Sequence, residues 1–140
     1  MTYGLDTSFV LRLITAEPGE LALQAVRHLA RLREAGTDCF ISDLVASETY
    51  YALQFHYKMP KEAALSALTV LGQGSDGIRF SGATGSVLQT PHLSRATPGF
   101  VDRLIHADYR QAGHSMLTCE HAAGKLDNVR VVRVQGDMKY

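Results

Sequence analysis

Apolar positions recur along this chain with two periods, and the alternation between them lays out the elements. Residues 2–6, "TYGLD", form a short apolar run that ends on an acid, and they predict a first strand. Thr7 or Ser8 then offers a hydroxyl to cap the helix "SFVLRLI", which "AEPG" breaks. "ELALQAVRHLARLREAG" predicts an amphipathic helix with Leu21, Ala25, His28, Leu29 and Leu32 on one face and Gly36 as its stop. "CFIS" reads as a short strand, and Asp43 as the cap of the helix "LVASETYYALQFHY". Pro60 stands where a further helix begins and runs on through "KEAALSALTVL".

The second half repeats the alternation. "GQGSDG" is a loop, "IRFSG" a strand, and "ATGSVLQTPHLSRATPG" a broken helix. "FVDRLIHADYRQAG" predicts a helix that ends at Gly113; "HSMLT" a strand; "CEHAAGKL" a short helix; "VRVVRV" a last strand. The expectation is a single domain over 1–134, with "QGDMKY", 135–140, as a loose tail. Short apolar strands alternating with helices predict an α/β fold, a central and mainly parallel sheet covered by helices on both faces. Such sheets collect ligands at the carboxyl ends of their strands.

Acids fall at those ends. Asp6 closes the first strand, and Glu120 follows "HSMLT". Glu48 stands four residues from Leu44 and from Ala52, so the spacing predicts that it points inward with Leu44, Tyr51, Ala52 and Phe55. Asp108 is centred on the stripe of Val101, Leu104, Ile105 and Ala112, with Asp102 at its edge, nearer the first turn. Carboxylates gathered on one rim repel, and a proton or a divalent cation relieves that repulsion; oxygen ligands suit Mg²⁺ or Mn²⁺. Each acid also has a plainer role. Asp6 can cap a helix, Glu48 can pair with a buried arginine, and Asp102 and Glu120 can complement a helix dipole.

Composition narrows the partners. Net charge is +0, with 14 basic and 14 acidic side chains among 140 residues, so no global field draws in nucleic acid. Binding RNA would fall to local patches, a metal or a partner. Cys39 and Cys119 lack zinc-like spacing, which points to a reduced, cytoplasmic chain, with Cys119 as a buried filler. No apolar run reaches the roughly 20 residues of a membrane span, and the N-terminal residues do not read as a secretory signal.

The joint pattern resembles the PIN-domain family, and within it the VapC-type toxins of toxin–antitoxin pairs. The resemblance runs over nearly the whole chain. "YGLDTSFVLRL" resembles the opening motif, "ISDLVASETYYAL" the second, and "GFVDRLIHADYRQAGHSMLTCE" the joined third and fourth, with Asp102 and Glu120 at 18 positions' spacing. It implies a three-layer sandwich and a metal-dependent endoribonuclease. Asp6, Glu48, Asp102 and Glu120 would hold one or two Mg²⁺ ions (Mn²⁺ is the other fitting ion), supported by Thr7, Ser8, Thr118 and Asp108. Arg12, Arg103 and His106 would contact an RNA substrate. A homodimer and a cognate antitoxin are implied as well.

One position departs from the family pattern. The fourth acid is usually Asp in a Thr-x-Asp setting, and "TCE" puts Glu120 there. That keeps open a second expectation, an RNA-binding or scaffolding domain with weakened catalysis. The segment from Gly72 to Gly85 has no counterpart in the resemblance. A receiver-like signalling domain ranks lower, since Cys119 follows "HSMLT" and no Lys stands there; a dinucleotide-binding unit lacks G-x-G-x-x-G after the first strand.

Overall fold

Every predicted strand forms, and each is shorter than the apolar run that announced it. The structure, a computed structural model, describes residues 1–74 and 76–134; the expected loose tail, 135–140, lies outside the described residues. The chain divides into two compact units, Met1–Thr90 and Pro91–Tyr140.

In the first unit β1 (Tyr3–Gly4) pairs parallel with β2 (Cys39–Ile41), which pairs parallel with β3 (Ile78–Phe80). The register sets Tyr3 against Cys39 and Ile41 against Phe80. Bonds from Leu5 N–H to Phe40 O (2.8 Å) and from Ser81 N–H to Ile41 O (3.0 Å) carry the pairing past the strand ends. Five helices accompany this sheet among the described residues: α1 (Thr7–Thr15), α2 (Gly19–Glu34), α3 (Asp43–Phe55), α4 (Lys61–Leu71) and α5 (Thr84–Leu88). Helix α1 packs on α2 and α3, and α3 on α4. Val10, Ile41, Leu53, Leu68 and Ile78 are fully buried.

The second unit holds a 3₁₀ turn (Leu93–Arg95), α6 (Phe100–Gln111), β4 (Met116–Thr118), a second 3₁₀ turn (His121–Lys125) and β5 (Val129–Val131). Strands β4 and β5 pair parallel. The fold is thus α/β with parallel strands, as the pattern predicts, and the strands are shared between sheets of three and two. No helix among the described residues is long and apolar enough to cross a membrane.

Helix faces differ from expectation in two places. Helix α2 buries Ala22, Ala25 and Leu29, and leaves Leu21 half exposed. Apolar residues occupy most of its circumference, so periodicity admits more than one stripe, and packing selects the one with small alanines. Helix α3 buries Ala46, Thr49, Tyr50 and Leu53, while Leu44 is 75% and Phe55 68% exposed. The face predicted to point inward is therefore the outward one.

The start of α3 also shifts by one residue. Ser42, not Asp43, is the cap, and its hydroxyl accepts from Val45 N–H (3.2 Å). Asp43 is released for a longer-range task. Its carboxylate accepts from Ala83 N–H (3.0 Å), Thr84 N–H (2.9 Å) and the Thr84 hydroxyl (2.6 Å). This ties the start of α3 to the chain that follows β3. Gly82 permits the approach, because a Cβ there would collide with that carboxylate. Asp43→Asn replaces one acceptor oxygen with a donor facing N–H groups. It should destabilise the protein by about 1–3 kcal/mol in urea unfolding, against a change within about 0.5 kcal/mol for Asp76→Asn at an exposed site.

Candidate active site

Parallel pairing brings the chain out of β1 at the edge where β2 also ends. Asp6 is the first polar residue there. It has extended backbone (φ −88°, ψ 165°) and is itself the cap of α1. Its Oδ1 accepts from Ser8 N–H (2.6 Å), and its carbonyl from Val10 N–H (3.1 Å). The expected caps, Thr7 and Ser8, are instead first-turn residues. A carboxylate at a helix start also complements the positive end of the dipole.

Thr7 then makes the contact that defines the site. Its hydroxyl donates to Glu48 Oε1 (2.7 Å), joining the start of α1 to the middle of α3. Glu48 is exposed, on the outward face of α3 with Leu44, and is not buried among apolar side chains. A carboxylate that stays solvated avoids the cost of burial, and one fixed hydrogen bond is enough to orient it. Asp6 Oδ2 and Glu48 Oε2 accept no hydrogen bond from the described residues. Neither acid belongs to an ion pair among them. Asp6 and Glu48 thus each keep one carboxylate oxygen without a donor among the described residues, and Thr7, which follows Asp6 in the chain, is bonded to Glu48.

In the second unit Asp102 is an exposed acid in the first turn of α6. Glu120 follows β4 at the start of the 3₁₀ turn. Its N–H donates to the Thr118 hydroxyl (3.0 Å), and its own exposed side chain caps nothing. Asp108 is exposed too, because α6 buries Phe100 and, of the expected stripe, Leu104 alone, while Ile105 and Ala112 are exposed with Asp108.

The basic candidates have partners of their own. Arg103 donates from Nε to Pro98 O (2.7 Å). His106, only 12% exposed, places Nε2 at 2.7 Å from Asp127 O and 3.2 Å from Asp127 Oδ1, while Arg110 reaches Asp127 Oδ2 (3.2 Å). Asp127 thus anchors two residues of α6. The sequence gives it away only by its place in the turn before "VRVVRV". Arg12 has one long bond, Nη1 to Ser8 O (3.4 Å). Cys119 is exposed rather than a buried filler, since it follows β4 on the way to the turn. Burial, assisted by the charge of Asp38, raises the Cys39 thiol above its ordinary range.

Among the described residues no group of three or more His, Cys, Asp or Glu side chains is disposed to hold a metal ion. The chain matches no family model, no curated protein and no solved structure.

The two roles of Asp6 can be separated. Asn caps a helix as well as Asp does, so Asp6→Asn should leave stability within about 0.5 kcal/mol, whereas Asp6→Ala should cost about 1 kcal/mol. Urea unfolding of both variants checks this; equal losses would show that the charge, not the cap, carries the stability.

Proposed function

We propose that this protein is a metal-dependent endoribonuclease and acts as the toxin of a toxin–antitoxin pair. The observation that carries the reading is the Asp6–Thr7–Glu48 arrangement. Two solvated carboxylates, with an oxygen open on each, are positioned by the cap of α1 and by the 2.7 Å Thr7 bond. The resemblance to PIN-domain toxins supports the same two acids and adds Asp102 and Glu120 to the ligand set.

Asp6 and Glu48 would hold Mg²⁺ or Mn²⁺; a part for Asp102 and Glu120 is what the resemblance alone implies. When bound, the ion supplies a water activated for in-line attack and neutralises charge at the phosphodiester. Ser8 N–H orients one oxygen of Asp6. Thr7 does the same for Glu48, and the Glu120 N–H bond to Thr118 sets the backbone from which Glu120 projects. Preorganised ligands lose little freedom on binding the ion. Because His106 and Arg103 are engaged with Asp127 and Pro98, substrate contact through either would replace those bonds. A homodimer and an antitoxin remain part of the proposal. The outward face of α3, where Leu44, Tyr51 and Phe55 flank Glu48, offers apolar area for a protein partner. A cytoplasmic setting belongs to the same reading.

A second reading is an RNA-binding or scaffolding domain with weakened catalysis. What favours it is that no set of three acids is preassembled among the described residues, together with Glu120 at the fourth position. Purified protein, free of antitoxin, incubated with a mixed RNA pool separates the two. Cleavage in Mg²⁺ or Mn²⁺, abolished by EDTA and reduced at least about a hundredfold by Asp6→Asn or Glu48→Gln, is expected for the nuclease. RNA retention without cleavage in any metal, by folded protein, would replace the first reading with the second.

A further inference from the structure

We propose that the exposed aromatic stripe of α3 and the basic turn behind it bind single-stranded RNA by stacking. The inference rests on RNA being the ligand, which both readings above share, and does not need cleavage. Helix α3 carries Tyr51 and Phe55 one turn apart on its outward face, beyond Glu48. They are 47% and 68% exposed, and their rings lie near parallel, with centroids 6.1 Å apart and planes at 28°. His56 and Tyr57 follow, in edge-to-face contact at 4.8 Å.

The packing of α3 falls to Ala46, Thr49, Tyr50 and Leu53, so Tyr51 and Phe55 are left over from it. An exposed ring offers a flat π-face, and every base can stack on one. Lys58, in the turn after α3, and Lys61, the first residue of α4, are exposed and enter no ion pair among the described residues. Between Glu48 and Asp76 the sequence holds one acid, Glu62. The chain has no net charge, and a short basic run of this kind is how a neutral chain reaches phosphates.

Rings and charges together select the occupant. The core of a protein–protein interface is depleted in Lys, Glu and Asp. Here Glu48 stands between Leu44 and Tyr51 in the stripe, and Lys58 and Lys61 follow its far end. A single strand presents unstacked bases and phosphates side by side, and rings beside lysines meet both. A duplex keeps its base faces within its own stack and gives the rings nothing to cover. Glu48 lies at the end of the stripe away from the lysines, so a strand on the rings leads toward the Asp6–Thr7–Glu48 arrangement. A protein seated on the same face would compete with the RNA.

Fluorescence anisotropy of an end-labelled RNA of about 12 nucleotides, single-stranded or in a duplex, tests the assignment. EDTA is present throughout, so the assay stands whichever of the two readings holds. The single strand should bind about tenfold or more tightly than the duplex. Tyr51→Leu and Phe55→Leu keep apolar area at exposed positions and remove the π-face; each should weaken single-strand binding about threefold or more. Lys58→Gln combined with Lys61→Gln should reduce the slope of log K against log salt by about 1. Binding of the duplex as tight as that of the single strand, Leu variants that bind as the parent does, or an unchanged salt slope would each overturn the ring and lysine assignment alone. No binding of either RNA would remove the ligand, and with it both readings. Self-association that buries the rings and persists in excess RNA would assign the face to a second copy of the chain and overturn the proposal.

Discussion

Parallel pairing of β1, β2 and β3 fixes where the polar residues of the first unit emerge. Strands that run the same way end at the same edge, so each must hand the chain to a helix there before it can return. At this edge β1 delivers Asp6, β2 delivers Ser42 and Asp43, and β3 delivers Ser81 and Gly82. All three exits are polar or small because each feeds a turn or a helix start with free N–H groups. The Asp6 and Ser42 caps, and the Asp43 bonds to Ala83 and Thr84, follow from that one geometry.

Asp6 and Asp43 divide the work of this edge. Both are acids beside helix starts, yet Asp43 spends its oxygens on three N–H and O–H donors from the chain after β3. Asp6 uses one oxygen for its cap and leaves the other open. Glu48, held through Thr7, is left half-satisfied in the same way. An acid that closes its hydrogen bonds internally is a structural clamp; a pair that keeps oxygens open to solvent is available to a ligand. The carboxylate charge at Asp6 exceeds what a cap requires, since an uncharged Asn caps equally well.

The sequence made the elements legible but not their faces. All five strands and the α1, α2, α3, α4 and α6 helices fall where apolar runs, Pro60, Gly36 and Gly113 place them. On α3, Leu44, Tyr51 and Phe55 compete with Ala46, Tyr50 and Leu53 for the buried side, and the choice is made by helices α1 and α4, which periodicity does not see. The spacing that singles out Glu48 predicts an inward carboxylate, and the structure places it on the exposed face instead. At α3 the cap stands one residue before Asp43, and at α1 it falls to Asp6 rather than Thr7 or Ser8, the plainer of the roles expected for that acid, because neighbouring hydroxyls and carboxylates are equally able to accept an N–H. The Asp43 and Asp127 networks were invisible for another reason: their partners lie about 40 and 20 residues away, and only folding brings them together.

We propose that Asp6, besides capping α1, forms a cation site with Glu48. Paramagnetic broadening by Mn²⁺ in an amide spectrum tests it most directly. The account predicts that substoichiometric Mn²⁺ broadens Thr7, Ser8 and Glu48 first, that Mg²⁺ reverses the effect, and that Asp6→Asn abolishes it with the α1 resonances otherwise in place. Broadening centred on other exposed acids such as Asp76 or Asp127, or a Thr7–Glu48 effect that survives Asp6→Asn, would contradict it.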